Sequence, residues 1–443
     1  MPITTMQHLH MPMHMPVPPA LHPLTSRHVV VICAGASGLV AAREIRREGH
    51  SVVVFEHGDQ VSGTWAYTDK VESDPMGLDT NRTTVHSSLY RSLRTTSPES
   101  PWASVTTHSS PNPTRTETGD DSRVTGRSSC IYKTSQANSG LAKMKQQQQQ
   151  QDMWMRYSMP LLYVTATNTQ PRIAEILRLN EWPGKQMHSH NYRVPDPFRD
   201  QAVVLIGSST SAIDISRDIA RVAKEVHVAA RSFAVETSGK QPGYANMWFH
   251  PMIERVCEDG TVVFQDGSFI LPDIILHCTG YKYHFPFLET NGIVAVDDNR
   301  VGPLYKHIFP PILAPWLSFV GIPWQVVTFP MFELQSKWIA GTLSNRFALP
   351  SQEKMMEDVE AFYSSLEASG VPKRYTHNMG NSQCECPAFE EWRIGMYNAN
   401  NKNRRARPES FRDEWEDHHL VLQAYDDFIK YTSHQVSGQC VSH

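Results

Sequence analysis

The stretch His28-Val29-Val30-Val31-Ile32-Cys33-Ala34-Gly35-Ala36-Ser37-Gly38 carries a β-branched run straight into a glycine-spaced turn. The run predicts a strand buried on both faces, as in parallel sheets. Ala36 to Glu48 then has helical spacing: Leu39, Val40, Ala42 and Ile45 face one way, and Arg43, Glu44, Arg46 and Arg47 the other. Gly49 stops that helix, and Ser51 to Phe55 is a second strand. This βαβ unit has the length of about 30 residues that such a unit needs. Its turn keeps the last two glycines of the dinucleotide pattern G-x-G-x-x-G, with Cys33 in place of the first. Gly35 lets a backbone approach a pyrophosphate, Gly38 lets the helix pack on the strand, and the helix N-terminus supplies unpaired N–H groups. Glu56 ends the second strand, 18 residues after Gly38. A carboxylate there accepts from ribose hydroxyls and repels a 2′-phosphate, which favours the adenosine half of FAD or NAD. Cys33 reads as a glycine replacement rather than a redox thiol, at a cost of about 1 kcal/mol if the turn needs glycine geometry.

A second unit lies downstream: Ala202 to Ile206 as strand, Ser211 to Ala223 as helix, and Glu225 to Ala230 as the next strand. Its turn is Gly207-Ser208-Ser209-Thr210-Ser211-Ala212, with Ser209 and Ala212 where the pattern has its second and third glycines. Small side chains keep close approach open, and the hydroxyls suit phosphate oxygens. Arg231 closes the next strand, 24 residues after Gly207, where the first unit has its acid. A cation there suits a 2′-phosphate, so this unit reads as an NADPH site. The plain alternative is a parallel strand pair with a surface Arg.

Composition bounds the rest. The 443 residues are 40% apolar and 19% charged with a net charge of −4, which excludes a generally basic nucleic-acid binder. The seven cysteines show no CxxC spacing and complete no zinc set, so no metal site and a reduced, cytoplasmic setting are expected. The charge-free stretch Ile308 to Phe332 holds five prolines and reads as buried strands and turns, not a membrane span. Residues 1–26 read as a disordered leader and 434–443 as a tail. Between Thr95 and Cys130 there is no Leu, Ile or Phe, and 16 of 36 residues are Ser or Thr. That composition cannot offset its ordering entropy, so 96–167 reads as loop or disorder, with Leu161 to Val164 a possible strand. Glu357 to Leu366 and Glu414 to Lys430 look helical.

Ahead of the second unit stands Trp182-Pro183-Gly184-Lys185-Gln186-Met187-His188-Ser189-His190-Asn191-Tyr192. With it, the chain resembles the flavin-containing monooxygenases, most closely their plant glucosinolate S-oxygenase-like branch. The family pattern is F-x-G-x-x-x-H-x-x-x-F/Y, met here by Trp182, Gly184, His188 and Tyr192. Further matches are Val61-Ser62-Gly63-Thr64-Trp65, Val85-His86-Ser87-Ser88-Leu89-Tyr90 and His277-Cys278-Thr279-Gly280-Tyr281. The resemblance implies an α/β protein of two Rossmann-like domains, with the NADPH domain (168–270) inserted in a discontinuous FAD domain (27–95 and 271–433). It adds Gly63, Trp65, His86, Ser87, Thr279 and Gly280 to the cofactor-binding set of Cys33, Gly35, Gly38, Glu56, Gly207, Ser208, Ser209, Ala212 and Arg231. It implies that NADPH reduces FAD, that reduced flavin takes up O2 as a C4a-hydroperoxide, and that one oxygen passes to a small soft nucleophile, thioether sulfur or amine nitrogen. The cofactor then carries the chemistry, which accounts for the missing triad.

The resemblance breaks at Thr96. The family branch follows S-L-R-T with N-L-P-R-E, and that Asn is placed to bond the flavin–oxygen adduct. Here Ser92-Leu93-Arg94-Thr95 is followed by Thr96-Ser97-Pro98-Glu99-Ser100, which the loss of one nucleotide from the family codons produces. Another frame through Pro98 to Ser109 reads close to the family continuation, so 96–167 is expected to be translated out of frame, with Asn168 onward back in frame; the plain alternative is a natural family-specific insertion. Thr96 then stands, as a poorer donor, at the Asn position. Two other readings stay open. One is an inactive pseudoenzyme keeping the NADPH fold. The other is a flavin disulfide reductase, for which Cys384 and Cys386 are too late in the chain and wrongly spaced.

Overall fold

A computed structural model describes residues 25–94 except 57, 59, 60, 62 and 80, the strands 131–133 and 161–164, residues 170–380 except 234–237, 286, 287 and 327, and scattered positions from 395 to 423. The first unit folds as read. β1 (His28–Ile32), α1 (Ala36–Arg47) and β2 (Ser51–Glu56) form a parallel βαβ, with His28 beside Ser51 and Ile32 beside Phe55. Together with β3 (Ile131–Lys133), β4 (Leu161–Val164) and β18 (Leu317–Val320) they make a five-stranded parallel sheet of order β18-β4-β1-β2-β3. The chain order reverses across β1, so its carboxyl end opens on the crevice where such sheets take ligands.

The second sheet contains β6 (Lys185–His188), β7 (Ala202–Ile206), β8 (Glu225–Ala229), β9 (Gly239–Lys240), β10 (Met247–His250) and β14 (Ile274–His277), in the order β6-β14-β7-β8-β10-β9. β7 is buried along its whole length, as its unbroken apolar run requires. Helix α2 (Thr210–Ala220) follows it. A smaller antiparallel sheet of β11 (Ile253–Val256), β12 (Val262–Phe264) and β13 (Phe269–Ile270) lies between β10 and β14 in sequence.

The second sheet is thus inserted between β4 and β18 of the first. The two crossings pair with each other: β5 (Gln170–Pro171), on the way out, runs antiparallel to β15 (Tyr281–Lys282), on the way back. A last ribbon joins β16 (Ala295–Asp297) to β17 (Arg300–Gly302). Helices α3 (Thr328–Leu343) and α4 (Gln352–Ala368) complete the first domain. Val29, Val31, Ala41 and Ile45 share one core with Phe309, Val320, Ile339 and Leu343.

Several expectations need correction. The segment 96–167 holds the strand read at Leu161 to Val164, β4, which pairs centrally with β1 and β18, and also β3, which was not expected. The rest of that segment, including Thr96, residues 1–24 of the leader, the tail and most of 414–430 lie outside the described residues, whereas Thr25 and Ser26, read as leader, bond to Ser344 and Gly49. The boundary at 270 cuts the second sheet, because β14 follows it. In α1, Leu39 is exposed and Glu44 is buried, opposite to the face expected. Packing of α3 moves the buried stripe to Val40, Ala41, Glu44 and Ile45. Glu44 is tolerated there by Arg43 at 2.7 Å and Arg47 at 3.0 Å, since a buried charge needs partners. Finally, the proline-rich stretch contains β18 and turns but ends as helix: α3 begins at Thr328, with Pro330 in its first turn, where no intrahelical N–H is needed. No helix among the described residues is long and apolar enough to cross a membrane.

Candidate functional site

The first turn is built by close approach. A Cβ on Gly38 would lie 1.9 Å from the Cys33 carbonyl oxygen, so only glycine lets α1 sit this near β1. Gly35 and Gly63 stand back to back: a Cβ on Gly63 would come 3.0 Å from the Gly35 Cα. Gly35 caps α1 without a side-chain bond, and the first turn of α1 holds no acid, so helix N–H groups face the crevice. Glu56 is buried at the end of β2 and accepts N–H from Ala34 at 2.6 Å and Gly58 at 2.9 Å. A carboxylate accepts at both oxygens, the chemistry that ribose hydroxyls require. The carboxylate is therefore also a brace for the turn, a role its sequence position did not reveal.

Cys33 is the departure. It adopts φ +92°, a conformation that favours glycine. Its Sγ accepts from the Gly35 N–H at 3.4 Å, occupying an amide that an incoming phosphate would use. Burial, followed by the charge of Glu56, pushes the thiol up to about 11, so it is protonated and unreactive at neutral pH. The residues still fit an adenosine dinucleotide, with one amide to be freed.

The turn at Gly63–Trp65 meets the segment around Ser87. The Ser87 hydroxyl donates to the Thr64 carbonyl at 3.3 Å, and the Thr64 and Ser88 hydroxyls lie 3.3 Å apart. The turn holding Gly63 and Trp65 and the segment holding His86 and Ser87 thus meet at Thr64, with Trp65 exposed.

In the second turn, Gly207 takes φ +130°, and a Cβ on it would come 2.5 Å from the Cys278 carbonyl oxygen. Ser209 caps α2 without a side-chain bond, and Ala212 is fully buried beneath the turn. The hydroxyls of Ser208 and Ser232 lie 2.6 Å apart, tying the turn to the end of β8, and Arg231 is exposed beside them. An uncapped helix end, paired hydroxyls and an exposed guanidinium fit a dinucleotide whose ribose carries a phosphate.

The motif between the two units joins them. Trp182 donates to the Gly260 carbonyl at 2.8 Å, and Gly184 leaves the space its indole fills. His188 is fully buried; burial above all, then the neighbouring His190 and His277, pull it down to about 3, so it is neutral. Its Nδ1 accepts from the His190 N–H at 3.1 Å, which leaves Nε2–H to donate to the Gly280 carbonyl at 3.0 Å. Thr279 donates to the Arg172 carbonyl, and the Arg172 N–H donates to Gly280 at 2.9 Å. Thr279 and Gly280 therefore lock the paired crossings.

Residues not singled out from the sequence complete this seam. Arg193, buried, donates to the carbonyls of Lys70, Ser87, His190 and Tyr192 at 2.7 to 3.2 Å. Glu72 accepts from Arg82 at 2.6 Å and from the Val85 N–H at 3.1 Å. Against the burial that would raise it, bonds from His190, Arg82 and Val85 hold its carboxyl below the ordinary value. Asn191 takes the Glu72 N–H at 2.8 Å. Proximity of Arg193 and Asn191 to the motif was the only sequence signal for them. Among the described residues, no group of His, Cys, Asp and Glu could hold a metal ion.

Comparison with known proteins agrees with this architecture. Residues 164–247 and 243–379 match the flavin-binding monooxygenase-like family, and 31–95 match an NAD(P)-binding Rossmann-like domain. The chain is 55% identical over 449 residues to flavin-containing monooxygenase FMO GS-OX-like 3 of Arabidopsis thaliana, covering 94% of this chain and 100% of that protein. The solved S-allyl-L-cysteine S-oxygenase of Allium sativum is 49% identical, covers 92% of this chain and 100% of its own, and superposes with a TM-score of 0.77. Tmm from a Pelagibacter strain, 20% identical with 87% and 93% covered and a TM-score of 0.61, shares the fold.

Proposed function

This chain belongs to the flavin-containing monooxygenase family, a FAD- and NADPH-dependent monooxygenase fold, and from that premise we propose that its substrate is a small thioether, oxidised to the sulfoxide. The garlic relative is an S-allyl-L-cysteine S-oxygenase, which supports a sulfur substrate. Bound flavin supplies the oxygen transfer, and the protein binds, orients and keeps water out.

We assign the FAD pyrophosphate and ribose to Gly35, Gly38 and Glu56, with Cys33, Gly63, Trp65, His86 and Ser87 around them. We assign the NADPH phosphates to Gly207, Ser208, Ser209 and Ala212, and its 2′-phosphate to Arg231. Thr279 and Gly280 hold the junction through which the two cofactors face each other. The observation that carries this reading is the pairing in one chain of two uncapped βα turns, one ending at a buried acid and the other at an exposed guanidinium. The free thiols of Cys33, Cys257 and Cys278 support a reducing, cytoplasmic setting.

The test is to purify the full chain, record its flavin absorbance, and follow NADPH consumption and sulfoxide formation with an alkyl cysteine thioether. A yellow protein that forms sulfoxide supports the reading. A folded but colourless protein supports the pseudoenzyme alternative. Thr96 stands where the branch has its adduct-bonding Asn, and a transcript sequenced across codons 90–170 tests the frame assignment: an intact in-frame message encoding 96–167 overturns it.

A further inference from the structure

The 2′-phosphate pocket assigned to the second domain has a wall that comes from the first. Tyr375 closes a short helical turn, Lys373–Tyr375, that follows α4 in the FAD domain. Its hydroxyl oxygen accepts from Arg231 Nη2 at 3.4 Å, across the gap between the domains. Ser208 and Ser232, bonded to each other at 2.6 Å, flank Arg231 on the NADPH side. The turn that carries Tyr375 is held firmly. Lys373 pairs with Asp297 at 2.6 Å and Arg374 with Asp298 at 3.3 Å. The Tyr375 ring packs beside Trp324, with centroids 6.1 Å apart, and Trp324 is anchored by backbone bonds to His377 and Met379.

The hydroxyl accepts from a cation, and its own proton goes to no acceptor among the described residues. An oxygen that accepts from Arg231 and still has a proton to give is oriented for an anion held by the same Arg. We propose that Tyr375 is a specificity-determining residue for NADPH, donating to the 2′-phosphate that Arg231 binds and so coupling recognition of that phosphate to contact between the two domains. This rests on the assignment of Arg231 to the 2′-phosphate. Although burial alone would raise the phenol, Arg374 and Arg231 beside it hold it below its ordinary value, which fits a positively charged pocket and a strengthened O–H donor. The residue is not predictable from the second βαβ unit, because it lies 144 positions from Arg231.

The experiment measures binding of 2′,5′-ADP and 5′-ADP to the full chain by titration calorimetry, for the wild type and for Tyr375→Phe. Phenylalanine keeps the ring against Trp324 and removes only the hydroxyl. The expected result is a wild-type preference for 2′,5′-ADP that Tyr375→Phe reduces about ten- to a hundredfold, as loss of one hydrogen bond to a charged group would, with 5′-ADP binding unchanged. Unchanged 5′-ADP binding also shows that the variant is folded. Equal weakening of both ligands, or no change in the preference, overturns the role of Tyr375 while leaving Arg231 in place. A wild type that does not prefer 2′,5′-ADP overturns the assignment of Arg231 itself.

Discussion

The phenol of Tyr192 donates to the Asp218 carboxylate at 2.6 Å, both groups being buried. Tyr192 ends the motif that precedes the second sheet, and Asp218 lies on α2 behind the NADPH turn. The Ser92 hydroxyl, from the FAD domain, reaches the same oxygen at 2.6 Å. One carboxylate thus holds the motif, the helix and the neighbouring domain together. Burial and Asp218 push the phenol above its ordinary value, so it remains a donor. Tyr192→Phe is expected to cost about 1.5 to 3 kcal/mol, the worth of a bond to a charged group. Ser92 and Arg221 still serve Asp218, which places the cost toward the lower end. Urea unfolding of the two proteins measures it.

Both βαβ units were legible because strand, glycine-spaced turn, helix and strand repeat a local pattern that needs no distant partner. Cys33 was legible as a glycine replacement, and its φ of +92° is the geometry that reading required. What escaped was set by tertiary packing. Glu44 was read as solvent-facing because its neighbours are charged, yet the approach of α3 buries it. Helix α3 was hidden because it is apolar on most sides, so periodicity could not separate it from buried strands. Tyr375, Glu72 and Arg193 act across the domain seam, and nothing local to them announces that partner.

Cys33→Gly relieves a residue held at positive φ and frees the Gly35 N–H from the thiol. The gain in the folded state exceeds the added chain entropy of glycine, for a net stabilisation of about 1 kcal/mol. Thermal melting of the apoprotein should rise, and the FAD content on purification should rise with it. Cys33→Ala keeps the strained backbone and should raise the FAD content without raising the melting temperature. If both variants melt like the wild type, strain at this turn is not a term in its stability.

The two glycines of the first turn should fail differently. Gly38→Ala drives a methyl to 1.9 Å from the Cys33 carbonyl oxygen, where only backbone could yield, and is expected to cost about 3 kcal/mol or more. Gly35 has φ −72°, and a methyl there meets Cys33 Sγ at 3.4 Å and Gly63 Cα at 3.8 Å, ordinary contact distances. Gly35→Ala should therefore fold near normally and lose flavin, because the methyl stands where the pyrophosphate must approach. Circular dichroism separates the two cases from flavin absorbance. Equal unfolding by both would remove Gly35 from the cofactor assignment.

Acid should unfold this protein early, through histidines and not carboxylates alone. Burial pulls His277, His227 and His307 down to about 4, and His188 to about 3, from an ordinary 6.5. Below pH 6.5 the unfolded chain takes up protons at these rings while the native rings stay neutral. The unfolded state then binds more protons, so stability falls as the pH drops, and the loss continues until the native rings titrate near pH 4. Above pH 6.5 these groups contribute no slope. Denaturant midpoints measured from pH 8 to pH 4 should be flat at first and then decline steeply. His277→Gln, whose amide can still serve the Ala174 N–H and the Gln186 side chain that meet the ring, should reduce that slope by about one proton's share. A decline that begins only below pH 4.5, where the unfolded chain protonates carboxylates such as Glu72 that the folded chain keeps charged, would show that the buried rings are not what titrates.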